Sequence, residues 1–227
     1  MTGPALSVLV ATLSSRHDYL ARLLDVLLPQ AEKAGGQVEI VALHNDGNWP
    51  LRQIRQALLD DARGRWLAFA DDDDLVSDDY VPAVLTALAD DPDYVAFRHA
   101  FYINGQRDPR EVRTGIDLGG WHSDTPDYYI RDVTHVNPAR TTLARQAGFR
   151  QHVDGWEDRG YDWALRPLLK TQAVIPRVLY HYYWRPTTGS VQTSQEPHAY
   201  LPRPHVDSPA FRWHPWSTNG RVTIRRL

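Results

Sequence analysis

Four consecutive aspartates at residues 71–74 directly follow the apolar segment 66–70, whose sequence is Trp-Leu-Ala-Phe-Ala. A buried strand of this kind brings all four carboxylates to its C-terminal end, where they repel one another and lose water at a cost in free energy. A positive group must therefore compensate them. Mg²⁺ and Mn²⁺ take oxygen ligands of this type and complete their shell with substrate phosphates. A solvated acidic turn that opens the next helix explains the same residues without a ligand.

The first half of the chain alternates between strand-like and helix-like patterns. Apolar runs predict three buried strands, at residues 6–13, 38–43 and 66–70. Apolar residues at helical spacing predict a helix after each strand, with Pro29 bending or ending the first helix and Ser77 capping the third. This alternation favours a parallel sheet with helices on both faces.

Polar turns follow each of these strands, at residues 12–18, 44–49 and 71–74. In open parallel sheets, ligands bind at the carboxyl ends of the strands, and all three turns fall on that edge. The pattern alone therefore predicts a nucleotide site there.

The second half of the chain is less regular. Its patterns predict a strand, a hairpin turn, a long loop, two helices and a final strand, at residues 94–103, 104–105, 106–132, 138–147, 157–170 and 178–184. Pro167 should kink or restart the second of these helices. Residues 186–227 are rich in Pro and aromatic residues with little periodicity, which predicts an extended tail on the surface.

The composition limits the class of protein. A chain of 227 residues suits one compact domain with, at most, a small appendage. A net charge of −3 gives no global basic field that would gather nucleic acid. The absence of Cys excludes disulfides and thiolate metal sites. The sequence shows no signal-peptide pattern and no apolar run of membrane-spanning length, so we expect a cytoplasmic protein without an integral membrane segment.

Five segments, in chain order, resemble the family-2 glycosyltransferases of GT-A fold. They are the first strand with Arg16, the second strand with its Asn-Asp-Gly turn, the strand that carries an Asp-x-Asp metal motif, an acceptor-side helix and a closing strand with a His, at residues 7–16, 38–47, 62–74, 162–166 and 178–183. The resemblance implies an α/β, Rossmann-like GT-A fold, in which helices flank a mostly parallel central sheet. It also implies an irregular acceptor-side half and an extended C-terminal tail.

The same resemblance implies a domain division. Residues 1–185 would form the glycosyltransferase domain, with a nucleotide-sugar-binding half at 1–104 and an acceptor-binding half at 105–185. Residues 186–227 would form a Pro- and aromatic-rich extension.

The activity that the resemblance implies is transfer of a sugar, with inversion, from a nucleoside-diphosphate sugar to an acceptor hydroxyl. A UDP-sugar is the favoured donor, and Mn²⁺ or Mg²⁺ would stabilise the leaving diphosphate. The implied metal ligands are Asp71, Asp73 and His181, with Asp73 the first choice, although Asp72 and Asp74 leave the register open. The implied contacts to the donor nucleotide are Thr12, Arg16, Asn45, Asp46, Asp71, Asp72, Arg185 and Ser190.

Inverting transfer also needs a general base for the acceptor hydroxyl. Asp158 lies in a Glu-Asp pair like that of the family, whereas Asp162 has the better downstream match, so both stay candidates. Residues implied to face the sugar or the acceptor are Trp121, His135, Asn137, Trp156 and Glu157. Arg55 resembles a basic residue common on the second helix of the family, and it is interpreted as a helical surface charge unless the tip of its side chain reaches phosphate.

Three other functions fit parts of the sequence. The acceptor of the glycosyltransferase stays open among glycans, lipid-linked sugars, proteins and metabolites. The first alternative is a glycosyltransferase that acts on modified bases in DNA, given the Arg-rich end at 221–226. A nucleotidyltransferase would be expected to carry a Gly-rich loop after the first strand, and residues 12–18 contain no Gly. A non-catalytic sugar- or nucleotide-binding module is the third alternative, against which the intact acidic run argues.

Overall fold

A computed structural model describes residues 3–103, 109–118, 124–149, 157–184 and 208–213. The strands are β1 Leu6–Leu13, β2 Val38–Asn45, β3 Trp66–Phe69, β4 Leu75–Val76, β5 Tyr94–Ile103, β6 Arg110–Thr114, β7 Tyr128–Arg131, β8 Ala139–Arg140, β9 Gln172–Trp184 and β10 Phe211–Trp213. The α-helices are α1 His17–Lys33, α2 Leu51–Asp61, α3 Tyr80–Leu88, α4 Thr141–Ala147 and α5 Glu157–Leu165.

The strands form one mixed sheet in the order β10-β2-β1-β3-β8-β5-β6-β7, with β9 paired to β5 and β4 paired to β9. β1 lies between β2 and β3 and pairs with both in parallel, which requires it to be apolar on both faces. Its sequence, Leu-Ser-Val-Leu-Val-Ala-Thr-Leu, meets that requirement. The predicted fold class is confirmed: helices flank a central sheet of mostly parallel strands, and the second half of the chain is less regular.

Two apolar layers cover the sheet. On one face, α1 and α3 pack Leu20, Leu27 and Val84 against the strands. On the other face, α2, α4 and α5 contribute a separate cluster, to which Leu58 and Leu165 belong. The acidic turn after β3 therefore lies where side chains from both layers can reach it.

Glycine is required at residue 64, at the entry to β3. A Cβ built there would lie 2.5 Å from the backbone nitrogen of Ser7, which no real Cβ tolerates. The Gly64 N–H instead donates to Ser7 Oγ at 2.8 Å, and this close approach fixes β3 against β1.

Pro29 neither ends nor shortens α1, which continues to Lys33. A proline in a helix leaves the carbonyl of residue i−4 without its usual partner. Here that residue is Asp25, and both Asp25 and Pro29 lie on the exposed side of the helix, where water can bond to the carbonyl.

The prediction that Ser77 caps the third helix was wrong. α3 begins at Tyr80, and Asp79 occupies the N-cap position. The Ser77 hydroxyl donates instead to the carbonyl oxygen of Val178 at 3.1 Å, because β4 pairs with β9 at this point.

The segment predicted as a long loop, 106–132, contains β6 and β7. β6 is polar in sequence, Arg-Glu-Val-Arg-Thr, and only Val112 and Thr114 are buried. It forms because β5 offers an antiparallel partner, a tertiary contact that single-strand patterning does not report. The predicted hairpin turn at 104–105 lies outside the described residues.

The last predicted helix, 157–170, and the last predicted strand, 178–184, follow the prediction in part. α5 ends at Leu165, and a 3₁₀ turn over Arg166–Leu168 carries Pro167 near its start, so the proline does restart the helix. β9 begins at Gln172, six residues before the predicted position of 178, because it pairs in parallel with β5 along its length.

A short segment of the predicted C-terminal extension, 208–213, belongs to the sheet. β10 pairs in parallel with β2, and the Ile40 N–H donates to the carbonyl oxygen of Ala210 at 2.7 Å. Phe211 is buried in the same cluster as α1. The domain boundary at 185 stays a prediction. Among the helices of the described ranges, none combines the length and apolar character of a membrane span.

We expect Phe211→Ala to lower the free energy of unfolding by about 3 kcal/mol, because a buried aromatic ring leaves a cavity that the sheet edge fills only in part. Val174→Ala is the control, since Val174 is 60% exposed. Urea denaturation followed by tryptophan fluorescence measures both. Equal, small losses in the two variants would show that β10 does not contribute to the core.

Candidate functional site

The carboxyl ends of β1, β2 and β3 meet at one edge of the sheet. Leu13 lies beside Asn45, and Leu9 lies beside Phe69, so the loops that follow these strands emerge side by side. The acidic turn at 71–74 sits among them. Its four carboxylates have four different environments.

Asp71 is paired with a buried arginine. Arg55 Nη2 donates to Asp71 Oδ1 at 2.9 Å, and His135 Nε2 lies 3.8 Å from Asp71 Oδ2. Burial alone would raise the pKa of Asp71, but the Arg55 charge and the His135 contact outweigh it and hold that pKa below its usual range. Asp71 is therefore ionised.

Arg55 extends the pair to a second carboxylate. Its Nη1 donates to Glu157 Oε1 at 3.2 Å, and the residue is only 4% exposed. The interpretation of Arg55 as a surface charge was therefore wrong. A signal was present in the sequence: Arg55 neighbours the apolar positions Ile54, Leu58 and Leu59 of the same helix, and four nearby carboxylates require counter-charge.

Asp72 is buried and turns toward β1. Thr12 Oγ1 donates to its Oδ2 at 2.7 Å, and Arg16 Nη1 lies 2.9 Å from its Oδ1. Burial raises the pKa of Asp72 to about 7, against the opposing charge of Arg16. Asp72 thus holds the loop after β1 against the acidic turn.

Asp73 is the more accessible of the two carboxylates that contact Arg16. Its side chain is 27% exposed, and it accepts a charge-assisted hydrogen bond from Arg16 Nη2. Arg16 thus bridges Asp72 and Asp73 with the two nitrogens of one guanidinium group.

Asp74 anchors the turn to β9. The Tyr180 hydroxyl donates to Asp74 Oδ2 at 2.8 Å, and the Tyr183 N–H donates to Asp74 Oδ1 at 2.8 Å. The same Tyr180 hydroxyl accepts the Asp71 N–H at 3.0 Å. Burial, with the nearby charges of Asp71 and Asp73, raises the pKa of Asp74 well above its usual range. Nothing in the sequence marked Tyr180 for this role.

His181 lies on β9 opposite Leu75, directly after this anchor. Its Nε2 is 3.2 Å from Ser77 Oγ and its Nδ1 is 3.3 Å from Tyr102 Oη. Burial lowers the pKa of His181, so the ring is neutral. A bond from either ring nitrogen to a metal would replace one of these contacts. The role of His181 as a metal ligand stays a prediction.

Asp71 and Asp73 are the carboxylates of the acidic turn that a divalent cation from solvent could reach. Over the described parts of the chain, no group of three or more His, Cys, Asp or Glu side chains has the arrangement of a metal site. Asp71 and Asp73 both keep part of their side chains open to solvent, 28% and 27% respectively. Two carboxylates with substrate phosphates make an ordinary site for Mg²⁺ or Mn²⁺.

The loop after β2 holds the residues predicted to contact the nucleoside. Asn45 Nδ2 donates to the carbonyl oxygen of Trp49 at 3.0 Å, while its buried Oδ1 accepts no hydrogen bond from the described residues. Asp46 accepts a hydrogen bond from the Ser14 hydroxyl, which also lies 2.6 Å from His44 Nε2. An amide oxygen of Asn45 is therefore available for a ligand donor.

The two residues predicted to face the donor sugar, His135 and Asn137, differ in their hydrogen bonds. His135 is buried, and neither of its ring nitrogens has a hydrogen-bond partner in the part of the chain that the structure describes. Asn137 Oδ1 accepts from Thr134 and Thr114 at 3.0 and 3.2 Å and lies 2.9 Å from His99 Nε2, while its Nδ2 donates to Val95. A sugar contact by Asn137 would have to break one of these bonds.

The two base candidates, both on α5, have opposite environments. Asp158 is partly exposed in the first turn, and its Oδ1 accepts the Arg159 N–H at 2.7 Å. Asp162 is 4% exposed, and its Oδ1 has no hydrogen-bond partner among the described residues. Burial, with the charge of Asp158, raises the pKa of Asp162 well above its usual range, because the buried site disfavours the charged form.

The structure thus gathers Thr12, Arg16, Asp72 and Asp73 into one set of contacts, and it places Asp71 in a second set with Arg55 and Glu157. The predicted residues Trp121, Trp156, Arg185 and Ser190 lie outside the described residues.

Comparison with known proteins identifies a family. The family model described as glycosyl transferase family 2 matches residues 22–154. A curated relative, the uncharacterized protein y4gI of Sinorhizobium fredii (strain NBRC 101917 / NGR234), is 28% identical over 170 residues, which cover 68% of this chain and 17% of that protein.

Solved structures share the fold. TarS 1–349 of S. aureus in complex with UDP-GlcNAc matches with a TM-score of 0.59 and 16% identity, over 84% of this chain and 61% of that chain. The same protein in complex with UDP matches with a TM-score of 0.60 and 15% identity, over 79% and 60%. The chain therefore spans less than two thirds of the length of the relatives it matches.

We expect Arg55→Met to lower the free energy of unfolding by about 3–5 kcal/mol, because it leaves Asp71 and Glu157 without their shared counter-charge. Gln53→Met, on the exposed side of the same helix, is the matched control and should change stability by less than about 0.5 kcal/mol. Chemical denaturation measures both variants. A loss below about 1 kcal/mol for Arg55→Met would contradict a structural role for the ion pairs of Arg55 with Asp71 and Glu157.

Proposed function

This chain belongs to glycosyl transferase family 2, and from that premise we propose that it transfers a sugar, with inversion, from a nucleoside-diphosphate sugar to an acceptor hydroxyl. The observation that carries the proposal is the acidic turn at 71–74, placed at the carboxyl edge of the sheet beside the loops after β1 and β2. An open α/β sheet binds nucleotides at this edge.

Asp71 and Asp73 are the residues that would hold a divalent cation, with His181 as a further candidate. A cation bound there would neutralise charge on the diphosphate as it leaves. The protein supplies the rest of the electrostatics. Arg55 keeps Asp71 ionised and fixed, and Asp74 anchors the turn through Tyr180 and Tyr183, so the site needs little reorganisation when the donor binds.

A UDP-sugar is the donor that we propose. The structurally similar TarS has been solved in complex with UDP and with UDP-GlcNAc. Uracil presents an N–H donor on its pairing edge, and the buried Oδ1 of Asn45 is an acceptor without a partner among the described residues. Thr12 lies near the end of β1, and Arg16 and Asp46 follow β1 and β2 at the same edge of the sheet.

Asp158 is the proposed general base. A base must be ionised and must reach the acceptor hydroxyl. Asp162 meets the first condition less well, because burial raises its pKa well above the usual range, whereas Asp158 is partly exposed at the start of α5. Glu157, beside it, is committed to Arg55, and that ion pair ties the start of α5 to the acidic turn.

We expect UDP to raise the thermal midpoint only when Mn²⁺ is present, with a gain of about 2.7 kcal/mol at a nucleotide concentration of about 100 times Kd. Asp73→Ala should abolish this Mn²⁺-dependent gain, because it removes one of the two partly exposed carboxylates of the acidic turn. Asp90→Ala, an exposed aspartate outside the site, should behave as the wild type. Absence of a shift with UDP, GDP, TDP and CDP would overturn the proposed donor site.

We expect Asp158→Asn to reduce kcat by roughly 10²–10⁴ while the thermal shift with UDP persists, because general-base catalysis contributes that factor. Asp162→Asn, which resembles the protonated acid, should keep kcat near the wild-type value. Release of UDP from UDP-GlcNAc, with water or an added sugar as acceptor, measures both. Loss of turnover in Asp162→Asn alone would assign the base to Asp162 instead.

A further inference from the structure

Arg16 is the cation that neutralises Asp72 and Asp73 of the acidic turn. Its two terminal nitrogens contact Asp72 and Asp73, and its side chain is 19% exposed. The guanidinium group also lies over the ring of Tyr19, 5.4 Å from the ring centroid, which restricts its position.

The two bonds of Arg16 are not equivalent. Asp72 is buried and also held by Thr12, so its contact with Arg16 is part of the packing between β1 and the acidic turn. Asp73 is partly exposed, and Arg16 is the partner that the structure gives it. The bond to Asp73 is therefore the one that can open without exposing a buried carboxylate.

A divalent cation on Asp73 would meet the guanidinium group at the same carboxylate. Two positive groups close to one carboxylate repel each other, so Arg16 lowers the affinity of this turn for a free cation. A nucleoside diphosphate changes the balance, because it brings negative charge for which a guanidinium group has matching donors.

We propose that Arg16 is an internal counter-cation, which occupies Asp73 until a divalent cation and a nucleoside diphosphate bind together. Arg16 then acts as a positioning residue that makes the binding of the two ligands cooperative. The inference rests on the proposed function for the identity of the nucleotide. The competition between Arg16 and a cation for Asp73 stands without it.

Titration with Mn²⁺ alone, followed by the electron paramagnetic resonance signal of free Mn²⁺, tests the competition. Arg16→Ala should bind Mn²⁺ roughly tenfold more tightly than the wild type, since one positive charge beside the carboxylate is gone. Arg22→Ala removes the same charge from an exposed position of α1, the helix that begins directly after Arg16, and should bind Mn²⁺ as the wild type does. A merely structural role of Arg16 would not increase metal affinity.

The same titration in saturating UDP tests the cooperativity. UDP should raise Mn²⁺ affinity by a larger factor in the wild type than in Arg16→Ala, and Mn²⁺ should raise UDP affinity by the same factor. Arg16→Lys keeps the charge but cannot hold both carboxylates, so it should fall between the two, and it replaces Arg16→Ala if that variant does not fold.

The outcomes separate the two proposals. Mn²⁺ affinity in Arg16→Ala that is equal to or weaker than that in Arg22→Ala overturns the role of Arg16 and leaves the proposed function intact. A gain of Mn²⁺ affinity in Arg16→Ala, with no effect of UDP on any variant, supports the competition at Asp73 and overturns the nucleotide part together with the proposed donor site.

Discussion

Charge compensation of four adjacent carboxylates is the interaction around which the site is organised. The chain resolves the repulsion by turning successive aspartates toward different partners. Arg55 holds Asp71, Arg16 holds Asp72 and Asp73, and Asp74 is bonded to Tyr180 and the Tyr183 N–H. Each partner comes from a different element, so the acidic turn joins the start of α1, α2 and β9.

Arg55 has the widest reach of these partners. It lies between Asp71 and Glu157, which are far apart in the sequence, and it is almost fully buried. A buried charge of this kind is stabilising only while both partners are in place. The donor side of the edge and the start of α5, which carries the candidate base, are therefore held in one fixed relation.

The elements with strong local patterns were predicted well. β1 and β5 have the predicted bounds, 6–13 and 94–103, and a helix follows each of the first three strands as predicted. These segments are apolar at the period of their own secondary structure, so local sequence was enough. β6, β7 and β10 were missed, since they are short or polar and exist only because a neighbouring strand offers hydrogen bonds. The N-terminal six residues of β9 were missed for the same reason.

The sequence by itself determined that an α/β sheet brings an acidic turn and two polar loops to one edge. The reason is that the order of the apolar segments and the polar turns after them are local features of the sequence. Only the tertiary structure decided which aspartate is open to a ligand and which is an anchor. It also decided that Arg55 is buried and that burial raises the pKa of Asp162. The physical reason is that ionisation and pairing depend on burial and on charges brought from distant segments, and these distances exist only after the chain has folded.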